Sequence, residues 1–360
     1  MKKILGLGIL LLAVIAVVIF TNVDWQQFQR AKAPAYDWQT VNLFYGGEKA
    51  RFLKNPDIKK QLAHYKIRLN AYKAGSIEMV TSLPTTDKDC LWPSNQLGVS
   101  LAKQSGKTVL ADSNIFNSAM VFYAWKPVTE ALQKAGMVKR EGGIYTVDTQ
   151  KLIMLAQQKK RWQADLNLNI YGSIKIFSTD PRKSNSGNMW AGLLANMLNN
   201  GQVVNANDLN NVLPDVKAYF QAMGYMEDSS GDIFENFLKQ GMGARPIIVG
   251  YENQLIEFLL ENKKYRQTIE SKIDILYPIP TVFASHPLIS LTPNCQRLQE
   301  ALQDPKLQQI AWRDHGFRSG LIGVDNKPAD LGLDNMPDTV TQVMPLPSAN
   351  VMQRIIQSLD

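Results

Sequence analysis

Cysteine and histidine are nearly absent: two Cys (Cys90, Cys295) and three His (His64, His286, His315) occur in 360 residues. Neither type falls in zinc-site spacing, so no metal centre is expected. The shortage also leaves little for acid–base chemistry. His64 ends a polar helix, His286 stands beside Pro287 in a long apolar segment, and His315 precedes Gly316. No serine sits in a nucleophile elbow. Neither GxGxxG nor a lysine-bearing phosphate loop is present, and carboxylates such as Glu227, Asp228 and Asp325 lack a matching partner in any readable motif. No enzyme and no cofactor is expected. Lys and Arg outnumber Asp and Glu by 39 to 32, but they form no basic block and do not alternate with aromatic residues, which argues against nucleic acid as a partner.

One long hydrophobic run is present. Lys2 and Lys3 precede the uncharged stretch Ile4 to Phe20, the pattern of an export signal. No small-x-small site follows Phe20 and no Cys follows to take a lipid. From Ile4 to Val23 a helix spans roughly 30 Å, enough for a bilayer. The reading is an uncleaved signal anchor over 1–23 and a linker over 24–37, with the two Lys inside and the body outside the cytoplasmic membrane. A cleaved signal with a periplasmic body is the alternative. In an oxidising compartment Cys90 and Cys295 either pair across a long stretch of chain or stand as lone thiols.

The length leaves room for about two domains, and 45% apolar residues suffice for real cores. Val41 to Tyr45 reads as a strand running into Gly46-Gly47-Glu48-Lys49 and a helix. Lys66 to Ala71 is a second strand ahead of Gly75-Ser76. Pro93-Ser94-Asn95-Gln96 opens a helix, and Thr108 to Ala111 is a third strand. Strand-then-helix units in succession imply a parallel α/β sheet whose loops gather at the strands' carboxyl ends, where ligands of such sheets bind. A second set follows. Ile174 to Phe177 reads as a strand delivering the chain into Ser178-Thr179-Asp180-Pro181-Arg182-Lys183-Ser184-Asn185-Ser186-Gly187, then the helix Gly187 to Leu198. Pro246 to Gly250 is a strand before Tyr251-Glu252-Asn253 and the helix Gln254 to Glu261. The first turn of a helix has unpartnered N–H groups and the positive end of the dipole, so Ser184 to Gly187 suit an anion, or Asp180 and Ser184 simply cap the helix. Two long extended segments, Ala119 to Trp125 and Thr281 to Leu291, are what two crossings between lobes require.

This order resembles a type II periplasmic solute-binding protein, the class that includes the molybdate, sulfate and phosphate receptors of ABC importers, over roughly 41–320. The residues that carry the resemblance are Tyr45-Gly46-Gly47-Glu48-Lys49, Asn117-Ser118-Ala119-Met120-Val121, the Ser178 to Gly187 loop, Tyr277-Pro278 and Gly316-Phe317-Arg318. The resemblance implies an α/β fold of two lobes, each a mostly parallel sheet flanked by helices, joined by two hinge crossovers. Lobe I would be 38–118 plus 285–360, and lobe II 119–284. It further implies a ligand site in which Gly46, Gly47, Glu48, Ser76, Ser94 and Ser118 face Ser184, Asn185 and Ser186, with Tyr251 and Tyr277 closing the side. A monomer is expected, taking a small solute or oxyanion and working with a membrane permease. Glu48 would repel an oxyanion, so either the ligand is cationic or amphoteric, or Glu48 sits at the positive end of its helix. The other expectation is a membrane-anchored sensor or envelope-complex adaptor with a modified or lost pocket.

Overall fold

The computed structural model describes residues 37–321, 323–333 and 335–360. The expected signal anchor, and the expected linker up to residue 36, lie outside the described residues. Among the described residues no helix is long and apolar enough to cross a membrane.

The described strands are β1 (Gln39–Tyr45), β2 (Ile67–Lys73), β3 (Cys90–Trp92), β4 (Ala111–Trp125), β5 (Val138–Glu141), β6 (Ile144–Asp148), β7 (Ile247–Tyr251), β8 (Ile273–Ile279), β9 (Phe283–Ser290) and β10 (Arg318–Ser319). β4 is the axis. Its first part, Ala111 to Ala119, pairs antiparallel with β9 in a sheet ordered β2-β1-β3-β9-β4, where β1 is parallel to both β2 and β3. Its second part, Met120 to Trp125, pairs antiparallel with β7 and β8 in another sheet, where β8 is parallel to β6. One strand thus threads two sheets, changing partners at Ala119 and Met120. The residues that do so are buried on both faces, which explains an apolar run rather than an alternating one. Met120, Phe122 and Ala124 enter one core of the second sheet, while Ala119, Val121 and Tyr123 enter the core on its other face.

Three details differ from the sequence reading. Thr108 to Ala111 is not a separate strand: β4 begins at Ala111, so that residue and the Ala119 to Trp125 run belong to one element. Ile174 to Phe177 is not a strand either. Phe177 alone docks beside β7, its N–H donating to Ile247 O (3.0 Å) and its carbonyl accepting from Val249 N–H (2.8 Å). One residue's worth of pairing delivers the chain to the polar loop. The third concerns the tail, which was expected with the first lobe: Val351, Met352 and Ile355 pack into the second sheet's core against the helix Asn185–Leu198. That helix is buried nearly all round, so it requires cover on its outer side as well.

Cys90 and Cys295 are bonded, with Cα atoms 5.5 Å apart, fastening β3 to the helix Asn294–Leu302. Around this bond the first sheet's core gathers Val41, Leu43, Phe52, Trp92, Phe116 and Phe317.

Candidate functional site

A cleft of about 1000 Å³ lies between loops of the two sheets. Its first wall begins where β1 ends. Gly46 donates its N–H to Trp92 O (3.1 Å), and a Cβ there would stand 2.6 Å from Ser94 Oγ, so only glycine lets the turn approach this closely. Gly47 and Glu48 line the cleft, with Lys73 beside Gly47 at the rim.

The carboxylate of Glu48 does not present a free charge. It accepts from Lys49 Nζ and from Ser94 Oγ, and His286 Nδ1 lies 3.3 Å away. Lys49, fully buried, also reaches His286 Nδ1 (3.2 Å) and Pro93 O (3.3 Å), and lies 5.5 Å from the Trp92 ring centre. Burial pushes the Glu48 carboxyl up, but the Lys49 charge and the His286 contact outweigh it and hold it well below the usual carboxylate range. Burial and the Lys49 charge push the His286 imidazole down to about 4 against the pull of Glu48. A carboxylate and an ammonium cancel, with a neutral imidazole beside them. Glu48 stands in the first turn of its short helix, as one of the two expected explanations has it, and its neighbour in sequence also neutralises it. Ser76 lines the cleft and bonds Ser94 Oγ (2.9 Å), whereas Gly46 and Ser94 sit behind the wall.

The second wall is the loop before the helix Asn185–Leu198. Asp180 organises it: its carboxylate accepts from the Arg182 N–H (2.9 Å), Nε (2.9 Å) and Nη2 (2.7 Å). Its carbonyl accepts from Ser184 N–H (2.9 Å). Ser186 is buried behind the wall, bridging Thr179 Oγ1 (2.9 Å) and Ser184 Oγ (3.0 Å). Ser184 and Asn185 line the cleft. Asn185 donates to Tyr251 OH (2.8 Å) and accepts from Asn95 of the first wall, so the two walls touch.

The third wall is the end of β7 and the helix Glu252–Glu261. Tyr251 and Asn253 line the cleft, and Ser118 reaches it only through Asn253. The Ser118 hydroxyl accepts from Asn253 N–H (3.2 Å) and donates to Asn253 Oδ1 (2.9 Å). Tyr277 does not reach the cleft. Its hydroxyl donates to Glu252 (2.7 Å), which Arg318 grips through Nε (2.7 Å) and Nη2 (2.8 Å). Of the eleven residues singled out in the sequence, Gly47, Glu48, Ser76, Ser184, Asn185 and Tyr251 line the cleft, while Gly46, Ser94, Ser118, Ser186 and Tyr277 stand behind it.

Sequence reasoning missed Lys49, Lys73, Asn95 and Asn253. Three of these lie inside motifs that were singled out, and the signal available was position at a helix start, where Asn serves as well as Ser. Among the described residues no group of three or more His, Cys, Asp or Glu is arranged to hold a metal ion.

No family model and no curated protein matches the sequence. Solved structures do match by shape. The ferric binding protein of Campylobacter jejuni aligns at TM-score 0.57 with 12% identity, over 89% of this chain and 98% of that one. The apo ferric ion-binding protein A of Pasteurella haemolytica aligns at TM-score 0.56 with 12% identity, over 89% and 95%. The periplasmic binding protein AfuA of Actinobacillus pleuropneumoniae, solved with fructose-6-phosphate, aligns at 0.55 with 14% identity, over 89% and 97%. The likeness is one of fold.

Proposed function

We propose that this chain, which has the α/β two-lobed fold of type II periplasmic binding proteins, captures a small anionic solute in its interlobe cleft for an ABC-type importer. In this reading it is a monomer held at the outer face of the cytoplasmic membrane by residues 1–23. The observation that carries the reading is the convergence of helix starts from both sheets on one cleft, at Gly47, Ser184 and Asn253, where the nearest wall carboxylate, Glu48, is already paired to Lys49, while Asp228, Glu235 and Glu257 elsewhere on the wall are paired to Lys183, Lys239 and His315. Neighbours of the same fold bind ferric ion or fructose-6-phosphate.

The test is thermal melting of the exported body with sulfate, phosphate, molybdate, citrate, glutamate and fructose-6-phosphate. A ligand at 100 times its Kd stabilises the folded state by about 2.7 kcal/mol, and the shift grows with the logarithm of concentration. At least one acid is expected to raise the melting temperature, and Ser184→Ala combined with Lys73→Ala to reduce the rise. No shift with any of the six overturns the reading.

A second reading, a sensor or envelope adaptor, is favoured by the contact of Asn95 with Asn185 across the cleft and by the internal bonding of Ser94, Ser118 and Ser186. It expects no shift with any acid, together with retention of the chain in a detergent-solubilised membrane complex.

A further inference from the structure

Asn253 is 1% exposed and its side-chain Nδ2 has no hydrogen-bond partner, although the residue lines the cleft. A buried amide left with unused donors costs about 1–3 kcal/mol, so a native fold keeps one only for a reason. The local bonding shows which edge of the amide is free. Ser118 spends its hydroxyl on this one residue, accepting from the Asn253 N–H and donating to Oδ1. With Oδ1 turned to the hinge strand β4, the opposite edge carries two N–H donors and nothing to receive them.

The surroundings make this a place for negative charge. Asn253 is in the first turn of the helix Glu252–Glu261, so the positive end of the helix dipole is at the same spot, although the main-chain N–H groups of Asn253 and Leu255 are themselves held by the Ser118 and Tyr123 hydroxyls. The acid in that turn, Glu252, does not offset the dipole, because Arg318 holds both of its oxygens. The remainder of the cleft is mixed. Its charged side chains include the ion pairs Lys183–Asp228 and Lys239–Glu235, Phe234, Leu238 and Phe258 supply a stretch of apolar wall, and the volume of about 1000 Å³ is at the top of the range of drug-sized sites. A bare oxyanion would fill a small part of it and leave that wall wet.

We infer that Asn253 is the anchoring donor of the cleft and that its ligand is an organic acid, a carboxylate or phosphate group on an apolar body, rather than a free oxyanion. This rests on the solute-binding reading and specifies its ligand class. The anchor is bonded to Ser118, next to the point where β4 passes from one sheet to the other, so a ligand held there is held at the hinge.

The experiment uses four probes in two matched pairs: inorganic phosphate against phenyl phosphate, and acetate against phenylacetate. Calorimetric titration of the wild-type protein is expected to give at least tenfold tighter binding for the phenyl member of at least one pair. Asn253→Ala and Asn253→Asp are expected to weaken it at least thirtyfold, the Asp variant keeping an acceptor for Ser118. A measurement without any variant stands beside these: the Asn253 side-chain amide resonances are expected to move on titration with the phenyl probe. Equal affinity within each pair overturns the apolar-body claim. Binding by both variants within twofold of wild type, or amide resonances unmoved at saturation, overturns the anchor claim, while the solute-binding reading survives. Failure of all four probes alongside a shift by another acid of the wider panel overturns the ligand class alone. Failure of every acid overturns both.

Discussion

Asn95, on the loop after β3, donates to Asn185, at the start of the second wall's helix, so one amide-to-amide contact joins the two lobes across the cleft. Both side chains are buried, and Asn185 is tied in turn to Tyr251. Asn95→Ala removes the bridge and leaves Asn185 Oδ1 without its donor. The expected cost is about 1–3 kcal/mol in chemical unfolding. The unliganded protein should also open, with a larger radius of gyration in small-angle X-ray scattering. An unchanged radius would show that the bridge does not hold the lobes together.

The buried cluster of Glu48, Lys49 and His286 makes stability depend on pH in a stated direction. His286 titrates at 6.5 ordinarily and near 4 in the fold, because it is buried beside Lys49. Between those values the unfolded chain binds a proton that the folded one does not, so stability is full above pH 6.5 and declines as pH falls toward 4, by roughly 3 kcal/mol. Glu48, held low mainly by Lys49 against the opposing effect of burial, adds a further loss below its ordinary 4.5. Glu257 acts with the opposite sign, since burial raises its carboxyl. Urea unfolding of wild type and His286→Gln at pH 7 and pH 4.7 isolates the imidazole. The variant should lose less stability between the two pH values, and equal losses would refute the assignment.

Gly187 is where the polar loop closes onto its own helix. A Cβ there would stand 2.3 Å from Thr179 O and 2.8 Å from Pro181 N, both main-chain atoms that cannot rotate away. Gly187→Ala is therefore expected to destabilise the protein by about 1–3 kcal/mol. It should also displace Ser184 and Asn185, lowering affinity for whichever acid the melting panel identifies. A variant with wild-type stability and affinity would mean that the loop is not positioned by this contact.

The two-lobed α/β fold was legible because its signals are local. Apolar β-branched runs mark β1, β7, β8 and β9, and small polar residues mark the turns after them. The helix Asn185–Leu198 was legible for the same reason. Ile174 to Phe177 misled because β-branched residues favour a strand wherever they occur, whereas a strand also needs a partner, and β7 accepts only Phe177 here. The apolar face of the terminal helix is visible in sequence, but the surface that it covers is not.

For the cleft, the chain itself determined where helices start and that their starts are rich in Gly, Ser and Asn, since capping and turn chemistry act within a few residues. It determined too that Glu48 has a lysine neighbour. Only the tertiary structure decided which of those polar groups are spent inside the protein and which are left over. That depends on contacts between residues far apart in the chain: Glu48 and Lys49 with His286, Asn95 with Asn185, Ser118 with Asn253, Tyr277 with Glu252. A hydrogen bond is satisfied by whatever group lies within about 3 Å, and the fold, not the order of residues, sets which group that is. The serines that looked most like ligand donors found partners in the fold, and Asn253 kept its side-chain donors free.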